Sequence, residues 1–321
     1  MKKFLALLLV AMMALSLCAC GASVDSAELD ALQSRLDAIT EELAAIQAAE
    51  NAAAPEVDAE AEPQVEEPAA SLPAFELDTL ILGTSADYAP FEFMYADDNG
   101  DMQYGGIDVS VAQYIADNLG AELQIENMSF DYLLVSLAKG DYDFVIAAME
   151  ATEDRLQSAD FSDPYYTDIP PMILVRAEDA DSYTTLADFD GKSVGAQTAT
   201  TKEAIVTDDM TGASLVSLSL VTDLVNELVY GKIDAIVLDG AVAQEYADAN
   251  PDLAIAAASD ELGTAEPYCI AVEKGDPKGL LPYFNEIIAQ MTVENAVEGF
   301  IADADALSGV AVEVSADAPT E

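Results

Sequence analysis

Apolar positions recur along this chain in several rhythms, and each rhythm predicts a different element. From Phe4 to Leu17 they run almost without a break, behind Lys2 and Lys3. That run is shorter than the ~20 residues a membrane-spanning helix needs, and its basic start and the small residue before a cysteine predict a secretion signal over 1–20. Further on, Leu29, Leu32, Leu36, Ile39, Leu43 and Ile46 alternate spacings of three and four, an a/d seam among Asp, Glu and Gln. It predicts a coiled-coil-like stalk over 21–50. With roughly three heptads the stalk either joins copies of the chain through residues 26–49 or stands as a lone amphipathic helix. Over 51–76 the rhythm disappears. Ala, Glu and the prolines Pro55, Pro63, Pro68 and Pro73 predict an extended acidic spacer.

From Leu77 onward short apolar strands alternate with helical periodicity, the pattern of an α/β fold with mostly parallel strands. Leu80 to Gly83 predicts a strand, Ile107 to Leu119 a helix that stops at Gly120, and Leu123 the start of the next strand. One pattern occurs twice. Leu137, Gly140 and Asp143, and again Leu228, Gly231 and Asp234, follow L-x-x-G-x-x-D ahead of an apolar strand. Each copy predicts a helix end, a glycine stop and an inner strand, so two similar α/β lobes are expected. Ligands of open α/β sheets sit beyond the carboxyl ends of strands. After the first such strand come Ala148, Glu150, Thr152 and Arg155; after the second comes Asp239. One lobe thus offers a guanidinium and the other a carboxylate, which suits a ligand carrying a carboxylate and an ammonium.

Composition narrows the function. A net charge of −50 excludes nucleic acid as the main partner, since binding phosphates needs clustered Lys and Arg. The absence of histidine removes the commonest general base and metal ligand. Neither a metal nor a cofactor is called for. Cleavage ahead of Cys20 would leave only Cys269 downstream, so no intrachain disulfide is expected in the mature chain.

Several segments together carry a resemblance: Gly83 to Glu92, Gly106 to Val109, Phe130-Asp131, Thr152 to Arg155, Asp160 to Tyr165, Asp190 to Gly195, and Asp239. In this order, residues from about Leu77 to Ala302 resemble the amino-acid-binding receptors of ABC importers, of the type II periplasmic-binding-protein family. The resemblance implies a two-lobed fold with a hinge, with lobe 1 over 77–175 and 268–302, lobe 2 over 176–267, and an acidic tail over 303–321. It implies that Arg155 holds the ligand carboxylate, for which a planar, permanently charged guanidinium is suited. An ion pair of Arg155 with Glu150 or Asp154 is the structural alternative. Asp239 matches the ammonium-binding acid, with helix capping as its alternative. Thr200 and Thr201 match a hydroxyl and N–H site at a helix start, although Ala199 replaces the usual glycine. Tyr88 and Phe130 match aromatic walls, or are plain core. Ser85 stands where several receptors carry a side-chain-binding acid, with Asp87 two residues on, and Glu150 stands where many carry Ser or Thr.

The same resemblance implies an ABC importer permease as partner, and Leu17 to Gly21 resembles a lipobox, which makes Cys20 the lipid-bearing anchor of an extracytoplasmic protein. Polar or basic amino acids are the expected ligands. Two other functions fit the residues: a same-fold enzyme such as a cyclic-acid dehydratase, with Glu150 carrying the proton, and a ligand-sensing module. The sensor version usually has a transmembrane helix and a cytoplasmic domain, neither of which the sequence shows.

Overall fold

A computed structural model describes residues 72–316. Cys20, the stalk over 21–50 with its 26–49 seam, and the spacer up to residue 71 lie outside the described residues.

The described residues have no regular structure over 72–77 and then enter β1 (Thr79–Thr84). A small antiparallel sheet follows, made of β2 (Asp87–Tyr88), β3 (Glu92–Ala96) and β4 (Met102–Gly105). Helix α1 (Ile107–Leu119) buries Ile107, Val111, Ala112, Ile115 and Ala116, the stripe its periodicity predicts, and ends at Gly120 in the left-handed region. Then come β5 (Glu122–Asn127), α2 (Phe130–Leu137), β6 (Phe144–Val145) and β7 (Ala159–Phe161). The chain crosses over to β8 (Met172–Arg176), β9 (Ser193–Gln197), α3 (Thr201–Ala204), β10 (Ser214–Leu218), α4 (Val221–Val229), β11 (Ala235–Leu238), α5 (Gly240–Ala249) and β12 (Leu253–Ile255). It returns through β13 (Ala271–Glu273) and closes with α6 (Leu281–Glu294) and α7 (Ala296–Ala316).

Two five-stranded sheets result, in the orders β5-β1-β6-β13-β7 and β10-β9-β11-β8-β12. They share one plan. Three parallel strands come first in each, and an antiparallel strand pairs on the far side of the third. The repeated Gly and Asp explain the likeness at atomic level. Gly140 and Gly231 both adopt positive φ, 80° and 68°, where a side chain would be strained. Asp143 accepts the N–H of Ile81 at 2.7 Å, and Asp234 accepts that of Ser193 at 2.9 Å. Each Asp thereby bonds the neighbouring parallel strand ahead of its inner strand. Lys278 pairs with Asp143, and Lys192 with Asp234.

The two crossings, over 162–171 and 256–270, run side by side where Tyr166 and Tyr268 form an antiparallel bridge. Two boundaries differ from expectation. Strand β8 pairs with β11 in the second sheet, so the first crossing is complete before Met172 rather than after residue 175. The segment after 302 is not a tail at its start: α7 runs to Ala316, with Ala304 and Ser308 buried. Val297, Phe300, Ile301, Ala304 and Leu307 recur at helical spacing, and the acids between them obscure that stripe.

Candidate functional site

The loops leaving β6, β9 and β11 meet in one cleft, lined among others by Tyr88, Phe130, Glu150, Thr200, Lys202 and Asp239. Two of these loops carry alanines in the left-handed region, Ala148 at φ 43° and Ala199 at φ 65°. Such backbone is disfavoured for a residue with a Cβ, so neighbouring bonds must hold it. The Ala148 N–H donates to Asp108 at 2.6 Å, and the Ala199 N–H donates to Glu203 at 2.9 Å. The third loop turns at Gly240, where a Cβ would lie 2.3 Å from the Pro170 carbonyl oxygen. Only glycine lets the crossing segment pack directly behind Asp239.

Across the cleft runs a chain of alternating charges. The Arg155 guanidinium donates to the Glu150 carboxylate at 2.7 Å and to its backbone carbonyl at 3.0 Å. It also reaches the Ala199 carbonyl at 3.1 Å and stands over the Phe130 ring, 5.1 Å from the centroid. The other Glu150 oxygen accepts from Thr201 Oγ1 at 2.8 Å and Lys202 Nζ at 2.7 Å. Lys202 also pairs with Asp239, whose second oxygen accepts the Tyr88 hydroxyl at 2.6 Å.

The side chains of Arg155, Glu150, Lys202 and Asp239 are all at most 10% exposed. Burying so many ions is tolerable because each has an opposite charge in direct contact. For Glu150, burial alone would raise the pKa, but Lys202 and then Arg155 outweigh it and bring it to about 2. For Lys202, burial works against the charge, and Asp239 and Glu150 together push its pKa above the ordinary value.

The residues expected at the site fall into two groups. Tyr88, Phe130, Ala148, Glu150, Thr200 and Asp239 line the cleft, and Arg155 and Thr201 bond to Glu150 at its edge. The ion-pair alternative for Arg155 is present, with Glu150 as the partner. Asp239 occupies the N-cap position of α5, yet its carboxylate makes no capping bond; Asp168 instead accepts the Ala241 N–H at 3.2 Å. Asp87 and Thr152 do not line the cleft. Asp87 accepts the Val221 N–H at the start of α4, at 2.8 Å, and Thr152 Oγ1 accepts the Arg155 N–H at 3.3 Å. Both are short polar side chains beside a free backbone donor, which claims them first.

Four lining residues escape the sequence: Lys202, Gln197, Glu92 and Ala147. Lys202 had a signal in its scarcity, since the chain holds only 11 Lys and Arg against 61 acids. Glu92 is buried, and its Oε2 has no partner among the described residues. Burial first, and then the facing Asp108, raise its pKa well above the ordinary value. Among the described residues no group of His, Cys, Asp and Glu could hold a metal ion.

Comparison with known proteins bears on the same region. Residues 80–301 match the family model of bacterial extracellular solute-binding proteins, family 3. ABC transporter arginine-binding protein 1 of Escherichia coli is 30% identical over 218 residues, 67% of this chain and 86% of that protein. A probable histidine-binding protein of Campylobacter jejuni is also 30% identical, over 70% of this chain and 83% of that protein. Among solved structures, an amino acid ABC transporter substrate-binding protein from Streptococcus pneumoniae, bound to L-arginine, superposes with a TM-score of 0.68 and 36% identity. That match covers 72% of this chain and 95% of the other.

Proposed function

The chain belongs to family 3 of the bacterial extracellular solute-binding proteins, and from that premise we propose that it captures a free amino acid outside the cell membrane and presents it to an ABC importer. The observation that carries this is the placing of Arg155 and Asp239 at opposite ends of one buried run of charges, the first following β6 and the second following β11. Arg155 takes the ligand carboxylate through two parallel N–H bonds, and Asp239 takes the ammonium. Tyr88 and Phe130 enclose the aliphatic part. Relatives named for arginine and histidine support a polar or basic side chain in the ligand.

The sheets act as two lobes joined by the paired crossings. A ligand held by both favours the closed arrangement through contacts that the open one lacks, and so turns occupancy into a shape a permease reads. Cys20 carries the lipid that keeps the protein at the membrane, and residues 26–49 join copies of it. The family binds solutes, and neither a dehydratase nor a sensor role is favoured by its relatives.

Calorimetry with an amino acid, its amide and its deaminated acid tests the capture mechanism. Capture by Arg155 and Asp239 requires that the intact amino acid bind more tightly than either derivative. Equal binding of the deaminated acid would remove Asp239 from the site.

A further inference from the structure

The least expected feature of the cleft is what fills it. Lys202 Nζ lies between Glu150 and Asp239, and with this side chain in place the remaining cavity is about 10 Å³. A cavity needs roughly 10–15 Å³ to hold one water, so no amino acid fits beside this lysine. Both Asp239 oxygens are already engaged, with Lys202 on one and the Tyr88 hydroxyl on the other. An ammonium arriving at Asp239 therefore meets another ammonium already there.

We propose that Lys202 is a tethered competitor for the ligand's ammonium: it occupies that group's position at Asp239 and must swing away when an amino acid binds. The proposal rests on the capture reading above and adds a residue that sets affinity. Displacing the lysine leaves no acid unpaired. Glu150 keeps Arg155 and Thr201, while Asp239 exchanges one ammonium for another. A protein whose binding-competent arrangement is only a fraction of its population binds more weakly by that fraction. Lys202 thus holds affinity below what Arg155 and Asp239 would otherwise give, and it penalises a ligand without an ammonium, which has nothing to offer Asp239 in exchange.

Titration calorimetry of the mature chain and its Lys202→Gln variant, against the full set of common amino acids, decides the matter. Any amino acid bound by the wild type should bind Lys202→Gln roughly tenfold more tightly or better. Should Lys202→Gln fold poorly, Glu150→Ser/Lys202→Gln is compared with Glu150→Ser, and the same tightening is expected. Equal or weaker binding on loss of the lysine overturns the proposal while leaving capture intact, because Lys202 would then be a bystander or a contact to the ligand carboxylate. Absence of binding in both proteins for every amino acid removes the capture reading and the competitor with it.

Discussion

Glu150 and Asp239, and likewise Glu92 and the Asp108 that faces it, are four buried carboxyl groups with opposite surroundings. The first pair alternates with Arg155 and Lys202, and Glu150 is held ionised with a pKa of about 2. Glu92 and Asp108 have no cation in contact among the described residues. Burial pushes Asp108 up to about 6, against the N–H of Ala148 and the hydroxyl of Tyr165, and it also raises Glu92 well above the ordinary value. Depth alone therefore does not decide whether an acid in this protein is charged. The difference lies in whether a cation shares its site.

Removing the central anion should break this contrast most severely. Glu150→Gln leaves Arg155 and Lys202 facing one another without their shared counter-charge, and should destabilise the fold by about 3–5 kcal/mol in denaturant unfolding. A loss below about 1 kcal/mol would show that water already screens the pair.

Somewhat smaller effects are expected on binding. Arg155→Ala and Asp239→Ala should each weaken amino-acid binding by about 2–5 kcal/mol, through loss of a desolvated charge contact. They should differ in kind. Loss of Arg155 should equalise an amino acid with its amide, whereas loss of Asp239 should equalise it with its deaminated acid.

Acidification separates the two groups without mutation. Asp108, and likewise Asp87 and Asp168, have folded pKa values raised to about 6, chiefly by burial. Over the range from there down to about 4 the native state binds more protons than the unfolded one, so stability rises as pH falls. Glu150 runs the other way. Its contribution is present above its unfolded pKa of about 4.5 and is lost as pH falls towards 2. Melting temperature should therefore rise from pH 7 to a maximum near pH 4–5 and drop below it. A melting temperature that declines steadily from pH 7 would mean that these three carboxyls are solvated.

The mildest change sharpens the same comparison. Glu92→Gln keeps the shape of a side chain whose pKa burial raises well above the ordinary value, and should alter stability at pH 7 by less than about 1 kcal/mol. A loss of several kcal/mol would show that Glu92 is ionised and paired.

Much of this architecture is legible in local pattern. The stripe of Ile107, Val111 and Ile115 predicts α1, and the two L-x-x-G-x-x-D copies foretell two sheets of one plan. Arg155 and Asp239 are legible too, one from its scarcity in an acidic chain and both from their place after inner strands. Asp87 and Lys202 show where legibility stops. Both are polar residues near the site in sequence, but Asp87 is claimed by the Val221 N–H, 134 residues away, and Lys202 turns inward to Glu150, 52 residues away. Periodicity is set by neighbours along the chain, so sequence alone determined the elements, their order and the residues at the strand ends. Which buried acid receives which cation is a contest among groups far apart in the chain, settled by distances of a few ångströms that exist only after folding. The tertiary structure alone decided that Lys202 sits at Asp239, because no local rule orders a lysine to leave water until two carboxylates have converged to receive it.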